Sequence, residues 1–288
     1  MGKSLRRQTV DALKSISFDI PAGTVTGFLG ANGAGKTTTI KCLLGLAIPD
    51  AGEILFFGGS ALTPEVKRRI GFLPERPYFY EYLTGREFLR FYGELSTDIS
   101  QADLRERINK LLRRVSLEHA GDRPLRGYSK GMLQRIGIAQ ALIHEPDFII
   151  LDEPMTGLDP DGRLEVREII RETAKAGTAV FFSSHLLPDA ETLCDRLVIL
   201  KQGDLVYQGT TKNLLGKVEN GFRLQVSKDG KIETKTIATS EELQKAIDLE
   251  RGRHATILEV TPLRLSLEEA FVKIAMNPSS RRDNEALR

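Results

Sequence analysis

Cysteine is scarce in this chain of 288 residues: only Cys42 and Cys194 occur, each inside an apolar stretch of helical pattern. Two isolated thiols exclude a disulfide framework and read as reduced, buried side chains of a cytosolic protein. Neither has neighbours at metal-ligand spacing, which excludes a zinc module built around them. An excess of one charge is also lacking, since 41 Lys and Arg face 39 Asp and Glu for a net charge of +2. That balance demands neither a nucleic acid nor an anionic membrane as partner, and the C-terminal "RRDNEALR" reads as solvated tail. Long apolar runs are missing as well. Nothing approaches the roughly 20 residues needed to cross a bilayer. The first ten residues, "MGKSLRRQTV", have no apolar signal core, so a soluble chain is expected.

What is present falls into regions of different texture. Residues 10–75 alternate strand-like and helical patterns, and from about 76 to 143 the pattern is almost wholly helical, with "REFLRFYGEL", "LRERINKLLRRV" and "LQRIGIAQALI" carrying apolar residues every three or four positions. Then "DFIILDEP" and "TAVFFSSH" give short continuous apolar runs, as strands buried on both faces of a parallel sheet do. The pattern predicts an α/β core over 1–215 interrupted by a helical lobe over 76–143. Further on, "FRLQVSKDGKIETKTI" predicts a hairpin around Asp229 and Gly230, followed by helix, strand and helix. A small α+β domain over 216–276 is expected, with 277–288 polar enough to be disordered.

The chemistry starts at "GANGAGKTTT", residues 30–39, which fills the pattern G-x-x-x-x-G-K-[ST] between a β-branched run and a helical one. Glycines let successive N–H groups turn toward one point, and the helix N-terminus adds partial positive charge. Gly30, Ala31, Asn32, Gly33, Ala34, Gly35, Lys36, Thr37 and Thr38 are the expected phosphate cradle. Lys36 should reach the β- and γ-phosphates, and the Thr37 hydroxyl should ligate Mg²⁺. A second anion site is expected where Ser129 and Gly131 open the periodic helix after "YSKG", too far along the helical lobe to serve the nucleotide of its own chain.

That segment resembles the signature motif of ATP-binding-cassette ATPases, with Lys130 and Met132 where many members carry Gly and Gln. Other motifs of that family follow in order: "FIILDEP" is similar to the Walker B strand, "GLDP" at 157–160 to the D-loop, and His185 in "SSHLL" to the switch histidine. The resemblance spans roughly residues 10–215. It implies a P-loop NTPase core that binds ATP and Mg²⁺. Asp152, ending a buried strand beside the phosphate loop, should hold the Mg²⁺ shell, and Glu153 should polarise the attacking water. By the same resemblance His185 senses or stabilises the γ-phosphate, Glu75 ligates Mg²⁺ where most members have Gln, and Asp159 lies at a dimer seam, if it is not simply a turn residue. Two chains would then form two composite sites, with Ser129 and Gly131 of one closing over the nucleotide of the other.

The lobe is too short for the coiled coils of chromosome-organising relatives, and one cassette is present where translation-factor relatives have two. The resemblance therefore implies the energy-coupling subunit of a membrane transporter, peripheral at the inner face of the membrane, with no nucleic acid as partner. "GFLPE", "YSKGM" and "LEVTPLRLSLEEAFVKI" look like ABC-2-type exporters. Residues 72–92 hold eight of the nineteen Phe and Tyr, a density that suggests docking of a permease helix, with about half the rings in the lobe's core. A mechanoenzyme of this fold acting on DNA or ribosomes, and an idle nucleotide sensor, are the alternatives. One feature departs from the family: no aromatic ring precedes Phe18, which the alternation commits to a strand. Leu5, Arg6 or Arg7 would have to face the adenine, unless the natural chain starts upstream, and weak discrimination between ATP and GTP is expected.

Overall fold

The computed structural model describes residues 11–216, 221–228, 231–263 and 266–276. They form two compact units that divide between Gln208 and Gly209.

The first unit is built on a six-stranded sheet of order β2-β3-β4-β1-β5-β6. Its strands are β1 (Val25–Leu29), β2 (Ile70–Leu73), β3 (Phe148–Asp152), β4 (Ala179–Ser184), β5 (Arg196–Lys201) and β6 (Asp204–Thr210). The run β2-β3-β4-β1-β5 is parallel. Every residue of β1, β3 and β4 is buried, which explains why their sequences are continuously apolar rather than alternating. Phe28, Ile40, Ile150, Phe181 and Val198 share one core cluster. The register sets Leu29 beside Ser184 and Asp152 beside Ser183. Three strands thus end together at one edge, and the segments that follow them are brought side by side.

The helices here are α1 (Lys36–Leu43), α2 (Pro64–Lys67), α3 (Gly85–Ser96), α4 (Gln101–Arg114), α5 (Lys130–Leu142), α6 (Pro160–Lys175) and α7 (Leu187–Leu193). α3, α4 and α5 pack on one another as a lobe, and α5 also rests on β2 and β3. Helix starts only at Gly85, where Thr84 and Glu87 close a reciprocal capping box, so residues 76–84 are not helical as the periodicity suggested. α1 stops at Leu43 because Gly45 turns to φ +68°, short of the apolar run that follows.

Phe18 is in no strand. Among the described residues of that segment, Lys14 N–H donates to the Gly203 carbonyl at 2.8 Å, and no ladder with a neighbouring strand forms. Its ring nonetheless lies 5.7 Å from Phe28 and 6.0 Å from Phe181, so alternation here records packing on the sheet, not pairing within it. Leu5, Arg6 and Arg7 lie outside the described residues.

The second unit contains α8 (Thr211–Gly216), the antiparallel strands β7 (Phe222–Lys228), β8 (Lys231–Ile237) and β9 (Thr256–Pro262) in order β8-β7-β9, and helices α9 (Ser240–Gly252) and α10 (Leu267–Met276). Leu224, Val226, Ile237 and Ala255 form its core under α9. Lys228 faces Lys231 in the register, while Asp229 and Gly230 themselves, like residues 277–288, lie outside the described part.

Candidate nucleotide site

The loop between β1 and α1 is shaped by close backbone contact. A Cβ on Gly30 would come within 2.7 Å of the Leu200 carbonyl oxygen, so only glycine lets the loop lie against β5. Gly35 caps α1 at φ +111°, and a Cβ there would meet the Ala12 carbonyl at 2.7 Å. From outside, Gly203 N–H bonds the Ala34 carbonyl at 3.0 Å. Gly35 gives α1 no side-chain cap, and no acidic residue stands in its first turn. The orphan N–H groups and the positive end of the helix therefore remain for an anion. By contrast α3, α4, α5 and α6 are capped by Thr84, Ser100, Ser129 and Asp159.

The convergence at the sheet edge is tight. Lys36 is buried; its Nζ donates to the Gly30 carbonyl at 2.6 Å and lies 3.8 Å from Glu153 Oε1. Glu153 Oε2 is 2.8 Å from His185 Nδ1 and accepts from Thr156 Oγ1 at 3.1 Å. An ionised carboxylate can only accept, so Nδ1 carries the proton in this contact. Glu153 has φ +51°, a left-handed conformation that costs a non-glycine residue about 1–3 kcal/mol. Its N–H donates to Ser183 Oγ at 2.9 Å, and that hydroxyl donates to Asp152 Oδ1 at 2.5 Å. Ser183 therefore fixes both acids from β4.

Asp152 is buried, and burial pushes its carboxyl above the usual range; the Ser183 hydrogen bond opposes this, while Glu153 and Glu75 push it further up. Three carboxylates facing one lysine leave local negative charge, which suits a divalent cation. Thr37 is exposed and Thr38 half-buried at the start of α1, so the Thr37 hydroxyl is free to act as a ligand. Among the described residues no three His, Cys, Asp or Glu side chains form a metal cage of their own. Such a set fits Mg²⁺ held partly by phosphate oxygens and water.

Glu75 is half-exposed, and its nearest ion-pair partner is Arg76 at 4.0 Å. Replacing it with Gln keeps an oxygen donor and removes one charge that raises Asp152. Glu75→Gln should retain most ATP hydrolysis, shift its acid limb to lower pH, and raise the Mg²⁺ concentration for half-maximal rate several-fold. Rate measured against pH and Mg²⁺ checks this, and complete loss of hydrolysis would contradict it.

Ser129 and Gly131 are not joined to Lys36, Asp152, Glu153 or His185 by any described hydrogen bond or ion pair. Ser129 caps α5, its hydroxyl accepting from Met132 N–H at 3.3 Å, which leaves the hydroxyl proton to donate elsewhere. The Lys130 side chain lies against Gly157 and ties the start of α5 to the loop ahead of α6. Asp159 caps α6 through Gly162 N–H at 2.9 Å, so in the single chain it acts as a helix cap. Ser183 and Thr156 were not singled out in the sequence; the one signal was a pair of serines ending an otherwise apolar strand.

The aromatic segment divides. Phe88 is buried; Phe72, Phe79, Tyr80 and Tyr92 are half-buried; Tyr78, Tyr82 and Phe91 are exposed. Tyr80 lies between the exposed rings, 5.8 Å from Tyr78, 6.2 Å from Tyr82 and 5.5 Å from Phe91. Beside them a cleft of about 210 Å³ is lined by Tyr78, Phe79, Leu125, Tyr128 and Leu133. A larger groove of about 840 Å³ beside α4 contains none of the phosphate-loop residues. Its charges are largely spent on one another, as in Arg107–Glu145 at 2.9 Å and Lys110–Glu106 at 2.7 Å. None of the described helices is long and apolar enough to cross a membrane.

Residues 13–156 match the family model described as ABC transporter. Among curated relatives, an uncharacterised ABC transporter ATP-binding protein of Nostoc is 48% identical over 76% of this chain and 65% of its own length. The bacitracin transport ATP-binding protein BcrA of Bacillus licheniformis is 39% identical over 75% of this chain and 70% of its own. Among solved structures, an ATP-binding subunit of an ABC transporter superposes with a TM-score of 0.67 at 30% identity, covering 92% of this chain and 93% of that one.

Proposed function

The chain belongs to the ATP-binding subunits of ABC transporters, ATPases that couple hydrolysis to transport, and from that premise we propose that it drives an ABC-2-type exporter as a homodimer bound to a separate membrane permease. One observation carries the reading: Lys36, Asp152, Glu153 and His185 meet at the shared ends of β1, β3 and β4, with Glu153 touching both Lys36 and His185.

In this reading Lys36 and the uncapped N-terminus of α1 hold the β- and γ-phosphates. Thr37, Asp152 and Glu75 hold Mg²⁺, which when bound neutralises phosphate charge. Glu153, aimed by its left-handed backbone and by Ser183, takes the proton of the attacking water. His185 keeps that carboxylate oriented and contacts the γ-phosphate. Ser129 and Gly131 serve the partner chain's nucleotide, which is consistent with their lack of any bond to the Lys36 group. Asp159 would lie at the seam between chains while capping α6. This arrangement favours a working ATPase over an idle sensor, because a sensor has no need of a strained, hydrogen-bonded base.

Tyr78, Tyr82 and Phe91 support the membrane partner. Three exposed rings gathered around Tyr80 form an apolar surface of the kind that receives an amphipathic helix. The relative named for bacitracin transport supports export-type cargo, and the cargo itself would contact the permease. The chain would then work at the inner face of the membrane.

Co-purification from native membranes tests this. A tagged chain should bring down one polytopic membrane protein. The double variant Tyr82→Asp, Phe91→Asp should recover at least about tenfold less of it at unchanged ATP affinity, since losing two aromatic anchors typically costs more than 1.4 kcal/mol. Recovery of ribosomes or nucleic acid with no membrane protein would favour the mechanoenzyme instead.

A further inference from the structure

α7 is a weak helix in a place that matters. It has seven residues, its N-cap Leu186 provides no side-chain bond, and it begins two residues after His185. A helix so short does not hold itself, so what fixes it must come from elsewhere.

Three arginines of α6, spaced four apart and therefore on one face, supply the hold. Arg167 Nη2 donates to Asp189 Oδ1 at 2.6 Å, and Arg171 Nη2 donates to the Thr192 carbonyl at 2.8 Å. Arg163 points two ways. Its Nε donates to the Leu158 carbonyl at 3.3 Å, in the loop just before Asp159, while its Nη1 stands 3.9 Å from Asp189 Oδ2. The Asp189 side chain is 2% exposed.

The network is not closed. Asp189 Oδ2 accepts no hydrogen bond among the described residues, and Arg167 Nε donates none. A buried carboxylate oxygen left unbonded is costly and calls for an explanation. A buried ion pair is weak grounds for stability, since well-packed apolar residues would serve as well or better. What it does supply is position. Arg163 reaches both the Leu158 carbonyl, in the loop ending at Asp159, and Asp189, in the helix following His185. At 3.9 Å its Nη1 is within a small movement of a hydrogen bond to Asp189, and that movement would draw on its bond to Leu158.

We propose that Arg163 and Asp189 are positioning residues: they link the loop 157–159 to α7 and so set where His185 stands against Glu153. A displacement of that loop by a partner chain would be passed through the Arg163 guanidinium to the imidazole. The inference rests on the reading of Glu153 and His185 as the hydrolytic pair, so its test includes a measurement that does not depend on hydrolysis.

The chain has four histidines, which makes the His185 ring signals tractable by NMR, with assignment by their loss in His185→Gln. Asp189→Asn keeps shape and removes the charge. It should lower kcat about tenfold, within the range that a sub-ångström to ångström misplacement costs, with the KM for ATP within about twofold of the parent. The His185 signals should move, and those of His119 and His254 should not. Arg163→Gln alters a side chain that is one-third exposed, and so tests the link without emptying a buried site. It should shift the same His185 signals, and Arg163→Lys should recover part of kcat. Unmoved His185 signals in both Asp189→Asn and Arg163→Gln overturn the proposal whatever happens to the rate. Shifted signals with kcat unchanged would retain the link but overturn its bearing on the reaction.

Discussion

Replacing Glu153 with Gln should leave ATP binding intact and lower steady-state phosphate release by about 10²–10⁴-fold, the contribution of a well-placed general base. The geometry makes the expectation specific. Glu153 Oε2 already accepts from Thr156 and meets the protonated face of His185, and Oε1 lies 3.8 Å from the Lys36 ammonium. Glutamine preserves the volume and one acceptor oxygen, but its amide cannot take a proton from water. The backbone at φ +51°, bonded through its N–H to Ser183, aims the substitute in the same direction. Phosphate contacts from the α1 N-terminus are untouched. Because nucleotide that is bound and not hydrolysed stabilises whatever state binds it, dimers should accumulate in Mg·ATP and disperse in its absence. Phosphate release and light scattering read the two effects separately. Turnover within about tenfold of the parent would remove Glu153 from the role of base. Monomer alone with ATP bound would remove the composite site.

The parts legible in the sequence were those fixed by local pattern. β1, β3 and β4 are continuous apolar runs because both their faces are buried, and the phosphate loop has its spacing because backbone, not side chains, makes it. Parallel pairing then does the rest, since it places three strand ends together whatever the connecting segments are. Phe18 shows the limit. Its alternation was as strand-like as that of its neighbours, yet the ring packs on Phe28 and Phe181 without a ladder of backbone bonds. Periodicity reports which side is buried, and hydrogen-bond partners are a separate matter. Ser183 and Thr156 escaped because their roles depend on register across 30 residues and on a turn, respectively. The arginines of α6 carry no sequence signal of their partner, since the buried carboxylate of Asp189 lies 22 residues on from Arg167. Of the eight rings in the aromatic segment Phe88 alone is fully buried, four are half-buried and three exposed, and no one-dimensional pattern distinguishes Phe88 from Phe91 three residues on.

Lys36→Ala should weaken ATP binding about a hundredfold and leave phosphate release near background. The ammonium is buried, and its described partners are the Gly30 carbonyl at 2.6 Å and the Glu153 carboxylate at 3.8 Å. A charge-assisted bond to phosphate is worth about 1.5–3 kcal/mol, and a hundredfold corresponds to about 2.7 kcal/mol. The lost affinity is thus the contribution of one or two such bonds. A second consequence follows from the pair with Glu153. Without the lysine, Glu153 keeps a side chain only 10% exposed beside Asp152, held by Thr156 and His185. Asp152, which burial already holds above the usual carboxylate range, loses the Lys36 charge that opposes that shift, so its carboxyl holds a proton more tightly and serves Mg²⁺ less well. Lys36→Arg separates the two effects: it restores the charge but not the compact head that fits between Gly30 and Glu153. It should therefore recover part of the affinity and little of the turnover. Calorimetric titration with Mg·ATP measures the first, and phosphate release the second. If Lys36→Ala bound ATP within about threefold of the parent, the phosphate loop would be acting through backbone alone, and Lys36 would belong to the fold, not to the nucleotide.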